Sequence, residues 1–524
     1  MEINHNSIPK RQKRSEDVIK NYFYALFGRN KPIAKLIKTD KKYYLYDKGT
    51  NKILSCSEIE YYLLEEILKN DVNIALNNSI KKYGKRKVFA AATQIIKAIN
   101  QENILKSFRA TQFGLSSHYK NIEEKMRSEL MMLTLEVTER CNLRCTYCVY
   151  NEEHREKRNH GDKNMPFSVA QAAIDYLKRN SEKQDSVYLS FYGGEPLLRY
   201  DFIKSCVEYA EKTLKKKNIS YSITTNGTLI NSENAEFFFN NNFSVCISID
   251  GPQEIHDMYR KDFKGNGSFN KTIKGLKHLI HTFGKSSVER ISLSIVYAPP
   301  FSEKKINRIT ELWVENPWIP ENISVQITYP LYHKEIEKIL HKERFIEDKN
   351  LGQWAREEFF KNFNHREVIH PISKSIVEKM LAILFQRPIY EKPIDKYPLN
   401  ACCLPGVRKI YVDVEGNFHV CERISSFAPL IGNVNTGIRS DVIQETYIDK
   451  YEKWSLPLCS ECWAIRICNQ CYVHIFSGSK IDINIKKDFC KKTKSMWEEF
   501  IKLALEIVER NPKGLNYLKN YKII

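Results

Sequence analysis

A chain of 524 residues with 42% hydrophobic content is long enough for about two to four cores, since single cores stop growing near about 250–300 residues. No apolar run approaches the roughly 18 residues of a membrane span, and the opening MEINHNSIPKRQKRSEDVIK has neither the apolar stretch nor the cleavage site of a signal peptide, so a cytoplasmic protein without a membrane partner is expected. The net charge of +19 comes from scattered basic residues with no nucleic-acid-binding signature; lysines on solvated faces are favoured, and attraction to an acidic peptide is the other reading.

Residues 30–115 read as a small module. Three strand-like runs, IAKLIKT, KYYLYD and KILSCS, precede helical patterns at Glu58–Lys69, Ala75–Lys82 and Lys85–Ile99, an order that suits a winged-helix-like domain. The loosely patterned stretch Gln101–Glu129 is expected to be linker. From residue 130 to 333 strand and helix alternate. The runs LTLEVT, SVYLSFY, YSITT, FSVCISI, RISLSIV and ISVQITY are separated by helical stretches such as Ser168–Lys178 and Asn231–Phe239. Such repeats predict an α/β fold with parallel strands and right-handed crossovers. The runs look apolar on both faces, as in a barrel or covered sheet, and six repeats leave a barrel open where eight would close it. Residues 334–398 read as a helical connection, 399–492 as a cysteine-rich domain, and 493–524 as a helix (Ser495–Glu509) with a tail.

Fourteen cysteines in a chain expected to stay in the cytosol argue against disulfides. Cys56, Cys206 and Cys246 stand alone and read as buried thiols; the others fall into two groups. The first is ERCNLRCTYC, with Cys141, Cys145 and Cys148 spaced C-x3-C-x2-C after the first barrel strand. The next strands end in YGGEP (Tyr192–Pro196), TTNGT (Thr224–Thr228) and SIDGP (Ser248–Pro252). Ligands of parallel β/α folds bind at such strand ends. Each motif alone is an ordinary turn, but four in register are not. Zinc is the alternative for the cysteines, though structural zinc wants four ligands and catalytic zinc favours His with carboxylate.

This order of motifs resembles the radical S-adenosylmethionine (SAM) enzymes, which use a partial (β/α)6 barrel. The resemblance implies that Cys141, Cys145 and Cys148 hold three irons of a 4Fe–4S cluster and that the fourth iron chelates SAM. Tyr147 is the aromatic residue expected before the third cysteine. Gly193 and Gly194 would let backbone approach a ligand, Glu195 would accept from an ammonium group, and Arg260 would meet a carboxylate; Asn226, Ser248 and Asp250 are further polar contacts.

The second group is Cys402 and Cys403, Cys421, then Cys459-x2-Cys462-x5-Cys468-x2-Cys471 and Cys490. It resembles the SPASM extension of radical SAM peptide-modifying enzymes, which carries two auxiliary 4Fe–4S clusters; the last pair is spaced x2 where x3 is common. By position, Cys459, Cys462, Cys468 and Cys490 would hold one cluster and Cys403, Cys421 and Cys471 the other, completed by Cys402 or a substrate thiolate. A zinc ribbon is the alternative for the C-x2-C pairs.

The resemblance implies three clusters, SAM cleavage to a 5′-deoxyadenosyl radical, and a reducing partner such as flavodoxin or ferredoxin. It also implies a peptide substrate whose leader adds as a strand to the N-terminal module. A maturase of ribosomally made peptides that forms thioether cross-links (the sactipeptide type) is expected. The alternatives are an anaerobic sulfatase maturase, another SPASM modification such as carbon–carbon cross-linking, and a non-catalytic iron–sulfur scaffold. For the sulfatase-maturase reading, Glu422 stands where those enzymes place an Asp base.

Overall fold

The computed structural model describes residues 10–109, 113, 121–150, 160–330, 350–365, 367–394, 397 and 403–521. The N-terminal module opens with helix α1 (Lys10–Phe27), which the sequence reading left unassigned. Strands β1 (Ala34–Lys38), β2 (Tyr43–Asp47) and β3 (Ile53–Cys56) form an antiparallel sheet in the order β1-β2-β3. Helices α2 (Glu58–Lys69), α3 (Val72–Tyr83) and α4 (Lys85–Glu102) follow. A capping box starts α2: Glu60 N–H donates to Ser57 Oγ at 3.3 Å and Ser57 N–H to Glu60 Oε2 at 2.7 Å.

Strand alternation sends the two faces of this sheet into different cores. Leu45 joins Phe23, Phe27, Leu63, Ile67, Leu76, Val88 and Ile95 in the module's own core. Ile37, Tyr44 and Tyr46 point the other way and join the main core of the molecule. The module is therefore docked through a sheet face. Within the expected linker lies a short helix, α5 (Ile122–Ser128).

The body is built on parallel strands β4 (Met132–Thr138), β5 (Ser186–Gly193), β6 (Asn218–Thr225), β7 (Phe243–Ser248), β8 (Ile291–Val296) and β9 (Ser324–Thr328), paired in that order. Between them run α6 (Phe167–Asn180), α7 (Tyr200–Thr213), α8 (Ser232–Asn240), α9 (Gln253–Tyr259), α10 (Phe269–Phe283) and α11 (Glu303–Glu315). The strands are not apolar on both faces, contrary to the expectation. One face carries buried Tyr221, Ile223, Val245, Ile247, Leu293 and Ile295. The other carries half-buried Ser222, Thr224, Cys246, Ser248, Ser292 and Ser294, aligned by the register Thr224↔Cys246↔Ser292 and Ser248↔Ser294. A face of small polar side chains leaves room for a ligand where a packed core would not.

The cysteine-rich region, read from sequence as a separate domain, is hydrogen-bonded into the same sheet. Strand β10 (Lys409–Val412) pairs parallel with β4 through Ile410↔Leu133 and Val412↔Leu135. Strands β11 (Asn417–His419), β12 (Gly432–Asn433) and β13 (Gly437–Ile438) continue outward, giving the order β13-β12-β11-β10-β4-β5-β6-β7-β8-β9 among the described residues. The last helix runs from Ile483 to Arg510, capped by Asp482, and so begins well before the expected Ser495. Among the described residues no helix is long and apolar enough to cross a membrane.

Candidate functional site

The first cysteine loop leaves β4 and is pinned on both sides. Arg144 N–H donates to Lys261 O at 2.7 Å and Thr146 N–H to Tyr259 O at 3.1 Å, tying the loop to the segment after α9. On the other side Gly194 N–H donates to Thr138 O and Glu195 N–H to Arg140 O, both at 2.8 Å. Gly193 sits at φ +130°. A Cβ on Gly194 would lie 2.2 Å from Arg140 O, a backbone atom that cannot turn away. The neighbour that these glycines admit is thus the backbone of the cysteine loop itself. Glu195 ties the second strand end to the third. It accepts from Leu197 N–H (3.0 Å), Thr225 Oγ1 (2.7 Å) and Asn226 N–H (2.8 Å). Burial pushes its carboxyl up against the pull of those three donors.

Asn226 donates through Nδ2 to Asn142 Oδ1 at 2.8 Å, and Asn142 donates to Thr228 Oγ1 at 2.8 Å, so the third strand end is laced to the cysteine loop. Asp250 joins a buried cluster: Tyr147 Oη donates to its Oδ2, Arg260 Nε donates to the same oxygen at 3.0 Å, and Val296 N–H donates to Oδ1 at 2.9 Å. The Arg260 guanidinium lies 5.3 Å from the Tyr147 ring centroid. His256 braces this cluster. Its Nδ1 accepts from Asp250 N–H at 3.4 Å and its Nε2 meets Ser268 Oγ at 3.0 Å, which fixes the ring with its proton on Nε2. Burial lowers the His256 pKa to about 4. Ser248 ends β7 half-buried beside this cluster.

The donor set suits an iron–sulfur cluster. Leu143 N–H and Tyr150 N–H point at Cys141 Sγ and Cys148 Sγ, each at 3.4 Å, and N–H to sulfur bonds tune such clusters. Burial pushes the Cys141 thiol up to about 12 and raises Cys145 and Cys148 as well.

In the C-terminal region Cys402 lies outside the described residues. The other cysteines sort by mutual influence. Burial pushes Cys459 up to about 11, with Cys490 and Cys462 adding to it, and pushes Cys468 up to about 12, with Cys459 and Cys462 adding to it. Burial likewise pushes Cys421 up to about 12, Glu422 and Cys471 contributing. Cys403 is joined to the neighbourhood through Tyr472 Oη, which donates to its carbonyl at 3.4 Å. Glu422 pairs with Lys409 at 2.7 Å; burial pulls its carboxyl up, but Lys409 prevails and holds it below the ordinary value. Of the solitary thiols Cys206 is buried, while Cys56 and Cys246 are half-buried.

Sequence reasoning missed the polar bridge between the two cysteine regions. Glu136, inside apolar β4, accepts from Tyr150 Oη at 2.9 Å and from Val414 N–H at 3.3 Å; Tyr150 also meets Tyr411 Oη at 3.2 Å. The signal was a charged residue in the run LTLEVT.

The radical SAM superfamily model matches residues 135–313, the span that holds the cysteine loop and the motifs at the strand ends. The chain is 40% identical over 154 residues to a cysteine-type anaerobic sulfatase-maturating enzyme of Clostridium novyi, a match covering 29% of this chain and 40% of that enzyme. It is 32% identical over 304 residues to an uncharacterized protein of Methanocaldococcus jannaschii, covering 58% of this chain and 88% of that protein. The fold superposes on the structure of native anSMEcpe with bound AdoMet at a TM-score of 0.55 and 21% identity, over 75% of this chain and 100% of that one. The loop geometry, the ordered strand ends and these matches agree: the chain is an enzyme of the radical SAM superfamily.

Proposed function

We propose that the chain is a radical SAM maturase that installs Cys sulfur-to-carbon thioether cross-links in a ribosomally made precursor peptide. The observation that carries the reading is the N-terminal sheet, which has its own core on one face, the body on the other, and β3 as an outer strand. The C-terminal helix braces the other part of the sheet: Thr39 Oγ1, just after β1, and Tyr44 Oη of β2 donate to Glu509 Oε1 at 2.7 and 2.8 Å, and Lys35 of β1 pairs with Glu498 at 2.7 Å. That leaves β3 as the edge on which a leader peptide would add as a strand.

In this reading Cys141, Cys145 and Cys148 hold the cluster that binds SAM, and Tyr147, Asn226, Ser248, Asp250 and Arg260 surround SAM. Cys459, Cys462, Cys468 and Cys490 hold one auxiliary cluster. Cys403, Cys421 and Cys471, with Cys402 or the substrate thiolate, hold the other. When bound, cluster and SAM supply one-electron chemistry that removes a hydrogen from the peptide. The chain's residues orient SAM, keep the barrel mouth dry through the buried Tyr147–Asp250–Arg260 cluster, and present the peptide.

Because the module's sheet face is part of the main core, deleting it would also damage the body. Ser55→Pro, which removes a donor from the β3 edge, is the cleaner test. Labelled precursor peptide should bind this variant at least tenfold more weakly by fluorescence anisotropy, and unchanged affinity rejects leader binding at β3. Anaerobic reconstitution with dithionite and SAM should yield 5′-deoxyadenosine and a peptide that has lost two hydrogens and one alkylatable thiol.

The sulfatase-maturase reading is favoured by the 40% identity to the Clostridium novyi enzyme. It predicts instead an aldehyde on a sulfatase-derived peptide, trapped by a hydrazine reagent. Glu422 would then serve as base, a task its ion pair with Lys409 makes harder.

A further inference from the structure

The turn between β2 and β3 is driven into the C-terminal half of the molecule. Asp47, Lys48, Thr50 and Asn51 are fully buried there. Asn51 Nδ2 donates to Pro388 O at 2.9 Å, and Arg387 Nε donates back to Asn51 O at 3.0 Å. Tyr390 N–H donates to Thr50 O at 2.9 Å, and Arg466 donates to Lys48 O and Gly49 O at 2.9 and 3.0 Å. Asp47 closes the turn by accepting from Thr50 N–H and Oγ1, both at 2.7 Å.

At the tip of this wedge Lys48 Nζ donates to Ser460 O at 2.8 Å and to Phe108 O at 3.0 Å, and it lies 4.7 Å from the Tyr397 ring centroid. Ser460 is the residue after Cys459, in the tight turn whose Cys462 N–H donates to Cys459 O at 3.1 Å. The ammonium therefore grips the backbone between two cysteines of the set Cys459, Cys462, Cys468 and Cys490. A second buried lysine, Lys486, lies one turn before Cys490 on the C-terminal helix, its Nζ 3.1 Å from Tyr451 Oη. Burying an ammonium is costly without a compensating charge or full hydrogen bonding. A cluster held by four thiolates carries net negative charge, and nearby charge and hydrogen bonding set its reduction potential.

We infer that Lys48 is a positioning residue of the Cys459–Cys490 cluster site, supplied by the N-terminal module: it fixes the Cys459–Cys462 turn and, with Lys486, holds positive charge beside the bound cluster. The inference rests on the assignment of a cluster to that set. A lysine from one end of the chain thus joins the peptide-binding module to a redox centre at the other end.

The test uses the reconstituted full-length protein and two readouts independent of turnover: iron per chain, and the cluster midpoint potentials from a redox titration followed by EPR. Lys48→Met should shift one auxiliary midpoint to a more negative potential, or cost about four irons per chain. Lys48→Arg should restore the wild-type value. Asn51→Ala, which loosens the same wedge without removing the charge, should lower the melting temperature and leave every midpoint in place. Unchanged midpoints and iron in Lys48→Met overturn the inference, as does an equal change in Asn51→Ala, which would make the effect one of docking alone. Replacing Cys459, Cys462, Cys468 and Cys490 together by Ala tests the underlying assignment separately. If that variant keeps wild-type iron and all three signals, there is no cluster at this set and the assignment fails first.

Discussion

The two cysteine regions are built by opposite means. Cys141, Cys145 and Cys148 lie within one short loop, and the residues supporting them stand at the ends of the body's strands or at the end of α9. The cysteines from 403 to 490 are drawn from a β-hairpin, a tight turn and the start of a long helix, with a lysine from residue 48 inserted among them. The first site is specified locally and has only to be pinned; the second exists only once distant segments have docked. Damage to the first should therefore stay confined, while damage to the second should spread.

The largest effect tests that confinement. Replacing Cys141, Cys145 and Cys148 together by Ala should abolish 5′-deoxyadenosine formation and remove about four irons per chain, leaving the auxiliary iron. Loss of all iron would erase the distinction. Next, Asp250→Ala leaves the Arg260 guanidinium buried without its partner. It should cost about 3–5 kcal/mol in denaturant unfolding, since an orphaned buried charge is the expensive outcome. Gly194→Ala forces a Cβ against Arg140 O and should cost about 3 kcal/mol, with iron lost from the first site before the second.

A smaller effect comes from His256. Its folded pKa of about 4 lies below the ordinary value near 6.5, so between those values the unfolded chain binds the extra proton. Its contribution is complete above about pH 6.5 and is lost as the pH falls towards 4. Lowering the pH from 7 to 5 should cost about 1–2 kcal/mol through this residue, and His256→Gln should flatten that slope. The smallest effect is expected at Glu422. Glu422→Gln breaks its pair with Lys409, both partners keeping some contact with solvent, and should change stability by less than about 1 kcal/mol. A much reduced turnover with clusters intact would move weight to the sulfatase-maturase reading.

What could be read from the sequence follows the same division. The strands of the body and of the N-terminal sheet fall within one to three residues of the expected runs, because alternation and flanking turns are local signals. The helix at 58–69 matches the expected Glu58–Lys69 at both ends, since Ser57 and Glu60 announce its start. The hydrogen bond from Tyr147 to Asp250 was not legible, because it joins the loops after β4 and β7, strands that have β5 and β6 between them. Nor was β10, a short run that is a strand only because β4 offers it an edge. Lys48 looked like one more solvated lysine in a turn, and nothing within a few residues of it marks the buried place it takes.

The ladder between β4 and β10 has a consequence for how this enzyme can vary. The cysteine loop springs from one end of β4, and β10 leads into the hairpin that ends at Cys421. Two cysteine-bearing segments thus hang from adjacent strands of one sheet, and their separation is set by strand pairing rather than by the polypeptide that runs between them. The residues after Thr328 and before Lys409 are a detour. Lengthening or shortening that detour alters the outline of the protein, while the distance between the two cysteine regions keeps its gauge.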